Sequence, residues 1–344
     1  MDKFSKYGLS ALCGSLAAIS AANAGELSVT GSAKATWTSV NKDLTGNPLG
    51  MASAVTFKGS GELDGGQDFS VTIANNDKSA YSSANITLNL NSLGTIIVSQ
   101  AEGGQGIGGY DDNMPRAFEE AWDAGVGAGL DLQKGVGSST NIGWTSPKVM
   151  GSTVQVAFAG QNDGAQVNDK AGSATGSRFQ EGYDVVLDLN QGYAFYMPNV
   201  FIGYSETKQG KENGAANKAL RHEHEEGVVG AVFSIGPIQA GLQKSIEHLG
   251  NEATGSTEYY GNISWGVSFN VNDDLSVSYG EHTGKKSLIG PGDQQDVVTQ
   301  SFQVAYTMGG LSLNYADTSI DNAAYVQGTT GDKDGQLIAL SLAF

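Results

Sequence analysis

Apolar and polar residues alternate one by one through most of this chain, the pattern of β-strands with one apolar and one polar face. The clearest run sets Tyr259, Gly261, Ile263, Trp265, Val267, Phe269 and Val271 against Tyr260, Asn262, Ser264, Gly266, Ser268 and Asn270. An early run sets Leu27, Val29, Ala33, Ala35 and Trp37 against Ser28, Thr30, Ser32, Lys34 and Thr36. The last, GQLIALSLAF, puts Ile338, Leu340, Leu342 and Phe344 on one face. Between these, alternation predicts strands at 51–63, 69–75, 85–90, 95–100, 140–145, 153–159, 183–189, 200–205, 228–235, 238–246, 275–279, 302–306 and 311–315. The total is sixteen, within two.

Tight turns such as Asp64-Gly65-Gly66 and Asn272-Asp273-Asp274 follow the even-numbered strands, and longer Gly/Asn/Asp/Lys-rich loops follow most odd-numbered ones. That asymmetry is the habit of up-and-down transmembrane barrels. A soluble sandwich also alternates, but it exposes its polar face and buries the apolar one against a second sheet. Here the polar face is mostly Ser, Thr, Gly and Asn, with few Lys/Glu pairs. Trp37, Phe57, Phe69, Tyr204, Trp265, Tyr279, Tyr306 and Tyr315 fall toward strand ends, where interfacial girdles would hold them. The expected fold is therefore all-β: a 16-stranded antiparallel up-and-down transmembrane β-barrel. One residue disturbs the pattern. Lys244 shares a face with Ile238, Ala240 and Leu242, so it either snorkels to an interface or is turned inward by a bulge.

Alternation stops at Gly103–Gly125, GGQGIGGYDDNMPRAFEEAWDAG. Asp111, Asp112, Glu119, Glu120 and Asp123 stand there against one cation, Arg116. Pro115–Trp122 is the only stretch with a helical cast, proline being tolerated in a first turn with acids behind it. Carboxylates at a narrow, low-dielectric passage focus their field and favour cations.

Composition sharpens this picture. Glycine is abundant at 49 residues, proline scarce at 6, and apolar residues reach only 39%, which suits a sheet whose inner face is wet. Lys3 and Lys6, the apolar run Gly8–Ala18 and the small residues Ala22-Asn23-Ala24 predict a cleaved export signal over 1–24, leaving a barrel over 25–344. The run is too short for a membrane anchor, which needs about 20 apolar residues. Cys13 lies inside it after the bulky Leu12, which excludes a lipoprotein site, so the mature chain has no disulfides. Formal charge is −17, near −18 after cleavage, and this excludes a nucleic-acid partner, whose phosphates demand a basic surface.

The signal ending Ala22-Asn23-Ala24, the opening GELSVTG, NIGWTSP at Asn141–Pro147, QVAYTMGG at Gln303–Gly310 and the terminal strand ending at Phe344 together resemble a general porin of Gram-negative outer membranes, nearest the alphaproteobacterial type. The resemblance spans essentially the whole mature chain. It implies an integral outer-membrane barrel in contact with lipid, a homotrimer, and an inward-folded constriction loop after the fifth strand, here Gly103–Gly125. It also implies that Phe344, Leu342 and Leu340 form the signal read by the outer-membrane assembly machinery. Such porins often oppose the acidic loop with wall arginines; this wall offers scattered lysines, Lys34 and Lys58.

Other constellations are weaker. Gly104, Gly106 and Gly109 spell a dinucleotide fingerprint, but no helix opens within them, and a flexible hinge is the plainer reading. In His222-Glu223-His224-Glu225-Glu226, His222 and His224 are candidate metal ligands, against the reading of a solvated loop before the tenth strand. Asp332 and Asp334, like Asp111-Asp112-Asn113, echo calcium-loop chemistry without its remaining ligands, so any bound Ca2+ would be weak and no cofactor is expected. His222, His224, His248 and His282 fall in loops or at strand ends with no serine motif nearby, so no enzyme is expected. The expected function is passive diffusion of small hydrophilic solutes and ions with a mild cation preference. The alternatives are a substrate-specific channel and a structural or adhesive surface barrel.

Overall fold

The computed structural model describes residues 25–40, 46–77, 82–100, 103–162, 179–194, 196–209, 222–292 and 294–344. The export-signal expectation falls on residues 1–24, outside the described residues. Sixteen strands close into one barrel, each pairing antiparallel with its sequence neighbours and the last with the first. The first eight are β1 (Glu26–Val40), β2 (Leu49–Glu62), β3 (Asp68–Asn76), β4 (Ser83–Asn89), β5 (Thr95–Gln100), β6 (Asn141–Thr145), β7 (Thr153–Ala159) and β8 (Phe179–Leu189). The second eight are β9 (Asn199–Gln209), β10 (His224–Ile235), β11 (Ile238–His248), β12 (Thr257–Asn270), β13 (Leu275–Leu288), β14 (Gln295–Met308), β15 (Leu311–Asp321) and β16 (Lys333–Ala343). Closure is completed at the C-terminus, where Gly31 N–H donates to the Phe344 carbonyl at 2.8 Å and Phe344 N–H donates back at 2.9 Å. Among the described residues each strand is paired on both sides, which removes the open sheet edges that lipid does not tolerate.

The two faces behave as their residues dictate. Leu242, Ile263, Val267, Phe302, Leu313, Ile338, Leu340 and Leu342 are exposed on the outside, while their neighbours Gln243, Asn262, Ser264, Ser268, Ser301, Gln303, Asn314 and Thr318 are buried within. All eight girdle aromatics share the outward parity in the strand registers. Lys244 keeps it too: it pairs with Val229 and Ile263 with no register shift, so no bulge turns it inward.

Several strands run further than alternation indicated. β13 continues to Leu288, β14 begins at Gln295, β9 reaches Gln209 and β10 begins at His224. The added outward positions carry Glu206, Lys208, Glu225, Glu281 and Lys285. Backbone pairing therefore continues past the point where the outer face ceases to be apolar, and a hydrophobic pattern cannot report that extension. This also corrects one histidine: His282 lies inside β13 and not in a loop or at a strand end, while His224 is at a strand end as expected but is buried there.

Pro115–Trp122 is not a helix; its backbone is irregular, and the helical turn nearby is a 3-10 turn at Gly106–Tyr110. The reason is competition. Ala117 N–H donates to Ser278 Oγ at 2.8 Å, and Phe118 and Glu119 N–H both donate to Gln303 Oε1 at 3.0 Å. Wall side chains take the donors that a helix would have used internally.

Candidate functional site

The segment between β5 and β6 is described from Gly103 to Thr140, and its contacts fall on the inward-facing side chains of the wall. Ile107 and Tyr110 pack with Val186, Phe201 and Val228 of β8, β9 and β10. Ile107 N–H donates to Asp184 Oδ2 at 3.0 Å, and Tyr110 Oη donates to Asp188 at 2.9 Å. Gln243 of β11 then holds the chain from both ends of its amide, donating to the carbonyls of Tyr110 (2.9 Å) and Asp111 (2.8 Å) and accepting from Asn113 N–H (3.2 Å). Beyond the β13 and β14 contacts, Thr318 of β15 donates to Ala124 O at 2.8 Å, and Gly125 lies against Leu337 of β16. The return limb packs Val126 and Ala128 on Val297, Ile320 and Ala323. It ends where Lys134 N–H donates to Glu226 at 3.0 Å and Val136 N–H donates to Asp184 at 3.2 Å.

Of the glycines in the dinucleotide-like stretch, Gly106 is required by packing, whereas Gly104 faces open space. Gly106 has φ +64°, and a Cβ there would strike the Asp184 carboxylate. A side chain would be strained by conformation and by space together.

This segment covers the inner faces of β8 to β16 and leaves most of those of β1 to β3 open, touching β1 at Lys34 and Val40. Ser28, Thr30, Ser32, Lys58 and Glu62 are exposed on the uncovered wall, whereas Ser205, Gln243, Asn262, Thr299 and Thr318 opposite are buried. Lys34 joins the two sides: its Nζ lies 3.4 Å from Glu119 Oε1 and 5.8 Å from the centre of the Phe118 ring. Lys58 is also inward but takes no part in that bridge; its register partners are Ser28 and Thr72.

The six site residues of the segment separate by environment. Arg116 pairs with Glu120 and donates to the carbonyls of Asp112 (3.0 Å) and Met114 (3.2 Å). Asp112 is buried, accepts from Met114 N–H at 2.8 Å, and lies 3.9 Å from Nδ1 of buried His282. Burial pushes the Asp111 carboxyl up, with the Asp112 N–H working against it. Burial likewise raises Glu119, opposed by Lys34, and raises Asp123, where the Glu120 charge adds to the effect.

The inner apolar positions Val186, Phe201, Val228, Val297 and Leu337 escape an alternation reading. Each nevertheless sits beside an outward apolar neighbour, as in Val185-Val186, Phe201-Ile202, Val228-Val229, Val297-Val298 and Leu337-Ile338. A doubled apolar step in an alternating strand marks a place where something packs on the inside.

The metal candidates separate as well. His222 is exposed beside Glu252, 2.8 Å away, while His224 is buried in β10. Asp332 accepts from Asn322 N–H at 3.1 Å, and Asp334 faces outward on β16. Among the described residues the group of His and acidic side chains that converges is His224, Glu226 and Glu247. At the C-terminus, Leu340, Leu342 and Phe344 are exposed on the outside, with the Phe344 ring over Gly31.

No protein-family model matches the chain, and no curated protein matches it by sequence. Solved structures do. Outer-membrane expressed OmpT of Vibrio cholerae superposes with TM-score 0.62 at 12% identity, over 94% of this chain and 99% of that one. OmpF of Salmonella typhi in complex with daunomycin gives 0.63 at 14%, over 94% and 98%. A mutant of Rh. blastica porin gives 0.57 at 11%, over 93% and 100%. At such identities the likeness is one of architecture, and the chain has the closed sixteen-stranded fold of these porin barrels.

Proposed function

We propose that this protein is an outer-membrane porin, a water-filled channel for passive diffusion of small hydrophilic solutes and ions with a mild cation preference. The observation that carries the reading is the asymmetry of the interior: an open polar wall on β1 to β3 faces an acidic segment docked on the rest. An apolar outer surface on a wall with no unpaired edge belongs in lipid, where each unsatisfied backbone group would cost several kcal/mol. On this reading the segment narrows the passage, and Asp111, Asp112, Glu119, Glu120 and Asp123 bias it toward cations against Lys34, Lys58 and Arg116. No bond is made or broken. The leader over 1–24 is removed on export, Phe344 with Leu342 and Leu340 addresses the barrel to its assembly machinery, and the chain forms a homotrimer, as OmpT of Vibrio cholerae does in its trimer form. The proposed affinity to alphaproteobacterial porins rests on the joint occurrence of Ala22-Asn23-Ala24, GELSVTG, NIGWTSP, QVAYTMGG and the terminal strand ending at Phe344.

Single-channel recording in planar bilayers under a KCl gradient tests the reading. Stepwise conductance with a cation-signed zero-current potential is expected. Changing Asp111 and Asp112 to Asn and Glu119 and Glu120 to Gln should move that potential toward the anion side. Absence of steps would remove the channel, and an unmoved potential would remove the segment from selectivity. Saturable flux of one solute class would favour a substrate-specific channel.

A further inference from the structure

Glu226 of β10 and Glu247 of β11 are direct cross-strand partners on the inner face, and both are buried. Two like charges directly opposite each other are unfavourable on a sheet, and burial makes each more costly. Among the described residues the ion-pair partner of both is one imidazole: His224 Nε2 lies 3.5 Å from Glu226 Oε1 and 3.1 Å from Glu247 Oε1. One imidazolium would still leave the group with a net negative charge. Glu247 Oε2 is fully buried with no hydrogen-bond partner. The polar set is thus under-satisfied as it stands, and what it lacks is positive charge at its centre.

We infer that His224, Glu226 and Glu247 form an inner-wall binding site for a divalent transition-metal ion of the zinc class. One ligand atom from each lies within 4.8 Å of the others. Metal–ligand bonds of about 2.0–2.1 Å in tetrahedral geometry place neighbouring ligand atoms about 3.3 Å apart, and the two imidazole–carboxylate separations bracket that value. A neutral imidazole with two carboxylates balances a double positive charge. The mixed nitrogen–oxygen set suits zinc, whereas calcium asks for six to eight oxygens. The supporting shell is also in place. Glu226 Oε2 accepts the backbone N–H groups of Lys134 and Gly135, which orients the carboxylate and leaves Oε1 toward His224. His224 is the first residue of β10 and Glu247 the last but one of β11, so the site lies at the long-loop end of the wall. A bound ion would tie the return limb of the docked segment to two strands.

Untagged barrel, folded in detergent and stripped with a chelator, is equilibrated with Zn2+, desalted and analysed for metal content. About one zinc per chain is expected for the wild type and for His222→Ala, which removes the exposed histidine. His224→Gln and Glu247→Gln should each bind at least tenfold more weakly, since loss of even a supporting partner costs about 10–100-fold in affinity. Circular dichroism of each variant establishes that the barrel is intact. Because a variant could fail to fold, Co2+ is also loaded into the wild type, where visible bands of a low-coordinate nitrogen–oxygen site are expected. Zinc content near zero in the wild type, or undiminished in both ligand variants, overturns the assignment, as does displacement of zinc by tenfold Ca2+. Metal content is measured without current, so its failure leaves the channel reading untouched.

Discussion

Glu119 is the residue at which the docked segment meets the open wall, and its environment sets how the proposed channel should answer to acid. Burial raises the carboxyls of Asp111, Glu119 and Asp123. A carboxylate raised above its ordinary value near 4 takes up its proton at a higher pH than a free one. Acidification should therefore weaken the proposed cation preference, beginning above pH 4. The zero-current potential measured from pH 7 downward checks this, and a potential constant to pH 4 would contradict it. Gly106 supplies a prediction of a different kind. With φ +64° and the Asp184 carboxylate in the place of a Cβ, Gly106→Ala should destabilise by more than about 1 kcal/mol. The shift of the urea midpoint in detergent gives the magnitude, and a wild-type midpoint would mean the segment is not docked there.

At the scale of elements, the 103–140 segment is held by borrowed hydrogen bonds instead of its own. Gln303 alone accepts from Phe118 and Glu119 N–H and returns a bond to Glu119 O at 2.7 Å. Gln303→Leu should leave two partly buried donors unpaired, at a cost of up to about 1–3 kcal/mol each. The expected outcome is faster tryptic cleavage after Arg116 and noisier single-channel current, with the strand signal in circular dichroism unchanged. The same bonds explain why a helical cast at Pro115–Trp122 misled. Propensity describes a chain among its own neighbours, and here Ser278 and Gln303, distant in sequence, outbid the internal ladder. The doubled apolar steps at Val186, Phe201, Val228, Val297 and Leu337 did carry a readable trace of the docking surface. Which segment they receive is a matter of long-range contact, and periodicity holds no record of it.

At the scale of the whole molecule, Lys244 is a charged residue on the outer face set among apolar register neighbours. The uninterrupted register keeps that ammonium outward between Val229 and Ile263. A lysine facing lipid costs about 2–4 kcal/mol at mid-depth and about 0–1 near an interface. Lys244→Leu should thus stabilise the barrel in phospholipid vesicles, by up to about 4 kcal/mol if the residue lies deep. Urea titration in vesicles and again in detergent separates the contributions; equal stability of the two proteins in vesicles would place Lys244 at the interface.

What the chain determined by itself was the wall. Strand number, the outward parity of Trp37 through Phe344 and the turns at one end all follow from a two-residue period, because each strand meets the same apolar surroundings on its outer side whatever its neighbours are. Strand length was not legible, since pairing through Glu225 or Lys285 continues where the apolar cue has ended. Tertiary structure alone decided the interior: that Glu119 meets Lys34, that Ile107 docks beneath Phe201, and that His224 shares its carboxylates with a second strand. Those contacts join residues from about two dozen to nearly a hundred positions apart, and only the folded wall brings them within reach of one another.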